Sequence, residues 1–262
     1  MGIYDRDYYR RPPPRGGFGH FAMWSVTTWL IVINVAVFLI DRILERYFTY
    51  SLVEIWPGGL GRRTTFAPLE FWGRFTIWDG IERFQLWRLI TCQFLHANFQ
   101  HLFWNMLGLF FFGQIAESYF GRQRYVAFYM LCGCAGALFY AVLGWSGLLE
   151  TTRTTSLVGA SAGIYGTLVA SAVIAPNVTV MLLFPPIPIQ LKWMAIFMMG
   201  VAVYTALSNG VNAGGEAAHV GGGLLGYVFT RYPQVLNPFY SAGRAQTRAR
   251  MRFRDWSKDL NH

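Results

Sequence analysis

Apolar runs bounded by charges, glycine or proline recur along this chain, near residues 22–41, 94–114, 125–145, 156–175, 190–208 and 215–230. A helix rises 1.5 Å per residue and needs about 20 apolar residues to cross a bilayer core. Within lipid, backbone N–H and C=O groups find no outside partner, so such runs form helices, and no residue class argues for a barrel. The pattern therefore predicts six membrane-spanning helices. The sixth is short and glycine-rich, and its ends are the least defined. The first run starts at Phe21 and reaches Asp41 without a small-residue cleavage site, which reads as a retained span and not a signal peptide.

Three segments fall outside this pattern. Residues 1–21 include "YYRRPPPRGGFGH", a Pro/Gly/Arg-rich stretch expected to be a disordered basic tail. Residues 42–93 are too long for a simple connection, and "LEFWGRFTIWDGIERFQLWRLI" interleaves aromatics with arginine. That composition suits the headgroup layer, so short helices lying in the outer interface are expected there. Residues 231–262 carry seven Arg/Lys against two Asp. With both termini placed in the cytoplasm, this tail lies near anionic headgroups and follows the positive-inside bias, a simpler reading than nucleic-acid binding.

Composition agrees with the membrane reading. Of 262 residues, 54% are hydrophobic and only 13% charged, with a formal net charge of +9. A soluble domain carries about 25% charged residues, enough to cover its surface. Cys92, Cys132 and Cys134 are too few for a disulfide framework and read as small buried hydrophobes.

Polar groups within spans are costly, and each is a candidate functional residue. The second span begins "HANFQHLFWN", with His96, His101 and Asn105; the fourth begins at Gly159-Ala160-Ser161-Ala162-Gly163; the sixth begins "AHVGGGLLG", with His219. By parity these three spans run in the same direction, so their starts lie at one depth. His101 and Asn105 are four residues apart and share a helix face, as do Ser161 and Tyr165. His96, five before His101, does not join that face. The G-x-S-x-G frame is no nucleophile elbow, because no strand precedes it. Gly159, Gly163, Gly222 and Gly226 are instead expected to let two helices approach closely.

A serine near a helix start, a histidine base and further donors at one level suit acyl transfer. His219 can take the Ser161 proton, and free first-turn N–H groups can hold an oxyanion. Glu216 is the one acid at a comparable depth, three before His219, and a third triad member is doubtful; a Ser–His dyad is the plain reading. Cys92, His96 and His101 do not form a hydrolytic zinc motif, and a proton-relay transporter would show internal repeats, which are not visible.

Together, Trp87-Arg88, His96-x4-His101-x3-Asn105, Gly159-x-Ser161 with Tyr165, and Ala218-His219-x-x-Gly222 resemble the rhomboid family of intramembrane serine proteases. The resemblance covers roughly residues 22–230. It implies an all-α six-helix bundle around an outward-opening cavity, with Ser161 as nucleophile and His219 as base. His101, Asn105 and the Ser161 amide would form the oxyanion hole, Tyr165 would stack on His219, and Arg88 would anchor the outer loop. Substrates would be single-span membrane proteins, with no cofactor, metal or nucleic acid involved; the oligomeric state is not implied. The bacterial cytoplasmic membrane is the expected location. A non-catalytic relative that binds transmembrane helices is the alternative. Two departures stand out: Ala162 where many members carry glycine, and an outer loop lengthened by "WPGGLGRRTTFAPLEFWGR".

Overall fold

A computed structural model describes residues 24–55, 61–182 and 186–239. The tail expected over 1–21, and the part of the arginine-rich tail beyond residue 239, lie outside the described residues. Among those described, the chain forms α1 (Val26–Glu45), a hairpin of β1 (Tyr50–Ile55) and β2 (Gly61–Phe66), α2 (Pro68–Gly73), a π-helical turn (Ile77–Glu82) and α3 (Arg88–Thr91). There follow α4 (Phe99–Phe120), α5 (Arg122–Trp145), α6 (Ser161–Ile174), a small hairpin of β3 (Thr179–Met181) and β4 (Pro188–Gln190), α7 (Leu191–Leu207) and α8 (Ala213–Arg231).

Six longer helices thus stand where the apolar runs lie, but only α1 and α5 are both long and apolar enough to cross a membrane by length and composition. The others fall short for different reasons. α6 has 14 residues and α7 has 17. α4 carries Gln100, His101, Asn105, Gln114 and Glu117, and α8 is rich in glycine and carries Glu216 and His219. The polar residues that mark the candidate site are among those that weaken the span signal.

Helix ends explain the shifts from the expected boundaries. α1 starts at residue 26 because the Ser25 hydroxyl accepts from the Thr28 amide. The Glu117 carboxylate, from α4, accepts from the Val26 N–H at 2.8 Å and from the Thr27 N–H at 2.9 Å. A carboxylate at a helix N-terminus satisfies orphan donors and meets the positive end of the helix dipole. α4 starts at residue 99 because Asn98 accepts from the His101 amide at 2.8 Å.

α6 is the central helix, packed against α4, α5, α7 and α8. Its sequence, SAGIYGTLVASAVI, is mostly small residues, which let neighbouring backbones come close without a driving force from water. Its polar side chains are satisfied locally: Thr167 donates to the Gly163 carbonyl and Ser171 to the Phe112 carbonyl on α4. A core of Leu109, Phe112, Tyr125, Phe128, Tyr129, Ile164 and Leu168 fills the space around it.

The loop before α4 differs from expectation. Short helices are present, but Tyr50–Phe66 is an antiparallel hairpin, with Tyr50 opposite Phe66 and Ile55 opposite Gly61. Residues 56–60, within the expected insertion, lie outside the described part. A strand-like contact also precedes α6, where Phe75 and Leu157 exchange both backbone hydrogen bonds, at 3.0 and 2.8 Å. It is one bridge long, so the frame still lacks the strand of a nucleophile elbow.

Candidate active site

Ser161 opens α6, and no side chain caps that helix. Its first-turn N–H groups lack intrahelical acceptors, as in any helix, and the N-cap residue Ala160 supplies no side-chain acceptor in their place; they lie at the same end of the helix as the Ser161 hydroxyl. Across from it, α8 presents His219. The Ser161 Oγ and His219 Nε2 are 2.7 Å apart, a short hydrogen bond. The Tyr165 ring stacks on the imidazole at 4.1 Å between centroids and 9° between planes.

Missing side chains make this contact possible. A Cβ on Gly222 would collide with the Ala162 carbonyl oxygen, and one on Gly226 would sit 2.5 Å from the Gly166 carbonyl oxygen. Backbone atoms cannot rotate aside, so α8 lies this close to α6 only with glycine at both positions. The other two glycines are used differently from the expectation. Gly163 faces the Tyr129 ring on α5, at 2.9 Å from a virtual Cβ. Gly159 has φ +129 and faces His101, whose Cε1 and Nε2 would lie 2.8 Å from a Cβ. It is required twice, by its backbone and by the imidazole beside it.

His101 and Asn105 line the same cavity as Ser161 and His219. Asn105 is buried, and its amide nitrogen finds no acceptor among the described residues. A buried donor left unspent is costly unless something else engages it. His96 does not lie on α4. It precedes the helix, and its buried ring packs edge-on against His101 at 5.1 Å. The angular relation between the two histidines does not hold, because it needs the helix to begin three residues before its actual start at Phe99.

The cavity has a volume of about 520 Å³. Its buried wall is apolar, with Phe112, Ile164 and Leu168, and its more exposed lining, at the mouth, includes the polar Asn98 and Asn212 beside Trp104. Ala162 does not line it. The Ala162 methyl points at Gly136 of α5, where a virtual Cβ would lie 2.5 Å away, so the extra carbon is absorbed on the far side of the helix. Among the described residues, no group of three or more His, Cys, Asp or Glu could hold a metal ion.

The outer loop supports the mouth through two buried arginines. Arg88 donates to the Arg74 carbonyl at 2.7 Å, to the Phe71 carbonyl at 3.1 Å and to Gln85 Oε1 at 2.6 Å. Burial lowers its pKa from the usual arginine value, and the negative charge of Asp79 opposes this. Trp87 beside it is exposed. Arg74 donates to Ser156 Oγ at 2.5 Å and lies 3.9 Å over the Phe66 ring. Nothing in the sequence singles out Arg74, because it belongs to no motif and sits among other basic residues.

A rhomboid domain model matches residues 83–233. The chain belongs to the rhomboid family. As a rhomboid it is a mostly helical integral membrane protein, with two small hairpins beside the helices. It is similar to RHOMBOID-like protein 1 of Arabidopsis thaliana, 28% identical over 238 residues, which cover 83% of this chain and 57% of the plant protein. It is 30% identical over 152 residues to the rhomboid protease AarA of Providencia stuartii, covering 53% of each chain. It is also 30% identical over 146 residues to the mitochondrial rhomboid protein 1 of Saccharomyces cerevisiae, covering 55% of this chain and 41% of that one. The chain spans about half the length of these curated relatives. They come from a bacterium, a plant and a mitochondrion, so they lend no support to a bacterial cytoplasmic membrane in particular.

One contact of this rhomboid is absent from the dyad expected of it. His219 Nδ1 lies 2.9 Å from Glu216 Oε2, the acid whose involvement the sequence leaves doubtful. The signal was present: residues three apart on a helix share a face.

Proposed function

We propose that this rhomboid is an intramembrane serine endopeptidase that cleaves transmembrane segments of membrane-protein substrates. The observation that carries the reading is the 2.7 Å contact between Ser161 Oγ and His219 Nε2 inside a cavity with an apolar wall and a polar mouth. In this reading α1, α4, α5, α6, α7 and α8 are all spans, with both termini on the cytoplasmic side. A 14-residue helix such as α6 would rise about 21 Å, less than the about 30 Å of a bilayer core, which leaves Ser161 below the membrane surface.

The chemistry follows from the groups in hand. His219 Nε2 takes the Ser161 proton as Oγ attacks the substrate carbonyl carbon, and negative charge develops on the carbonyl oxygen. The Ser161 amide, the Asn105 amide nitrogen and the His101 ring are the donors for that oxygen. His219 then protonates the leaving amine, the C–N bond breaks, and an acyl-enzyme remains. Water entering through the polar mouth gives its proton to His219 as its oxygen attacks the acyl carbon; His219 then returns that proton to Ser161 Oγ as the acyl C–O bond breaks and the acid is released. Donors aimed at the developing charge give a typical contribution of about 10²–10³ in rate for each one lost.

The reading is tested with a fluorophosphonate probe on the detergent-purified chain, with the adduct located by mass. Labelling at Ser161 that is lost in Ser161→Ala and falls sharply in His219→Ala is the expected result. No labelling, with a test transmembrane protein bound but uncut, would support a rhomboid that binds helices without cleaving them.

A further inference from the structure

The imidazole of His219 is engaged on three sides. Ser161 meets Nε2, the Tyr165 ring covers one face, and the Glu216 carboxylate meets Nδ1. His219 and Glu216 side chains are only 12% and 19% exposed, so their contact is sheltered from water. Glu216 lies in the first turn of α8, where a negative charge is favoured by the helix dipole. Its carboxylate is turned to the histidine rather than spent on capping, since no side chain caps this helix.

Hydrogen-bonding capacity fixes what that contact does. An ionised carboxylate only accepts, so Nδ1 must carry the proton that joins the two groups. Neutral imidazole has one N–H, so Nε2 is left with a bare lone pair. That lone pair points at the Ser161 hydroxyl. The ring is thus held in the one tautomer that can serve as a base toward the nucleophile.

We infer that Glu216 is a positioning residue for the proposed proteolysis, holding His219 in its Nδ1–H tautomer and stabilising the imidazolium formed when Ser161 attacks. The inference rests on the proposed function and extends the dyad to a three-residue relay. No proton passes to Glu216. When Nε2 takes the Ser161 proton, the positive charge spreads over the ring, and the Nδ1–H to carboxylate bond becomes an ion pair. When Nε2 releases the proton to the leaving amine, the neutral tautomer returns and the carboxylate is unchanged.

The test uses the full chain in detergent with Glu216→Ala and Glu216→Gln. Its first readout needs no activity: the ¹⁵N shifts of the His219 ring, assigned by comparison with His219→Ala. The expected spectrum is Nδ1–H in the wild type, moving towards Nε2–H in Glu216→Ala. The second readout is cleavage of a fluorogenic single-span test protein. Here kcat is expected to fall about 10²–10⁴-fold in Glu216→Ala with KM within a few-fold. Glu216→Gln, which keeps an acceptor but loses the charge, is expected to fall between the two. An unchanged tautomer, or a kcat within twofold of wild type in either variant, overturns the inference. Should Glu216→Ala fail to fold, the isosteric Gln variant decides alone, at about a tenfold or greater loss in kcat. The outcomes separate cleanly: loss of Ser161 labelling in the wild type defeats the proposed proteolysis, whereas an unchanged ring spectrum defeats only the role of Glu216.

Discussion

The contact between α6 and α8 and the loop from Tyr50 to Phe94 border the same cavity with opposite materials. Between the helices, side chains are removed: Gly222 and Gly226 on α8 rest on the backbone of Ala162 and Gly166. In the loop, large polar side chains are buried: Arg74 and Arg88 cross-link carbonyls and hydroxyls that no regular ladder would satisfy. Backbone against backbone leaves no soft atoms to move, so the distance between Ser161 and His219 is set rigidly. An arginine hub holds a shape through several replaceable bonds. The first region sets the reacting atoms, and the second keeps the mouth in place around them.

Damage to the two regions should therefore differ in kind. The largest effect is expected from Gly222→Val. Its branched side chain meets the Ala162 carbonyl and forces the helices apart, and labelling of Ser161 should fall more than about 10³-fold. Overpacking should also cost about 1–3 kcal/mol in thermal unfolding. Gly159→Ala comes next. At φ +129 a side chain is strained by about 1–3 kcal/mol, and its methyl displaces His101. Labelling should drop about 10²-fold while the Ser161–His219 pairing survives.

The loop is expected to respond through stability instead. Arg88→Met leaves the Phe71 and Arg74 carbonyls without their donor and should cost about 1–3 kcal/mol by thermal unfolding. The folded fraction should label at a rate within about threefold of wild type, because the site lies beyond the hub. Equal losses of reactivity in Arg88→Met and Gly222→Val would erase the distinction between the regions.

Glu70 gives the smallest effect. Burial raises its carboxyl from the ordinary value of 4.5, the neighbouring Arg42 opposing this, so the folded state holds that proton more tightly than the unfolded chain does. The stabilisation is complete below the unfolded value and is lost as pH rises through the folded one. Glu70→Gln removes this dependence. Its melting temperature should gain on wild type as pH rises from about 4 to about 7, by no more than a few degrees.

These regions also differed in how readable they were. The helices follow from apolar runs, and the residues at the site follow from polar groups that such runs do not tolerate at random. Their depth can be compared because they begin three apolar runs that alternate along the chain and so are expected to run in one direction. The loop offered no such frame. Its aromatics suggest the interface, which hides two short stretches with β-branched residues, "SLVEI" and "RRTTF", on either side of Pro57-Gly58-Gly59, a strand and turn composition that points to a hairpin. Arg74 could not have been found, because its partners Ser156 and Phe66 are brought to it only by the fold. For Glu216, spacing alone places it beside His219, while only the structure shows its carboxylate turned to Nδ1.

The central claim is that a hydroxyl and an imidazole, held together by glycine contacts between two helices, cut peptide bonds within the membrane. The most direct measurement reconstitutes the chain in liposomes with a tagged single-span protein and follows its fragments by mass. The account predicts cleavage in or beside the transmembrane segment by the wild type and none by Ser161→Ala or His219→Ala. An intact test protein that co-purifies equally well with the wild type and with Ser161→Ala would contradict it.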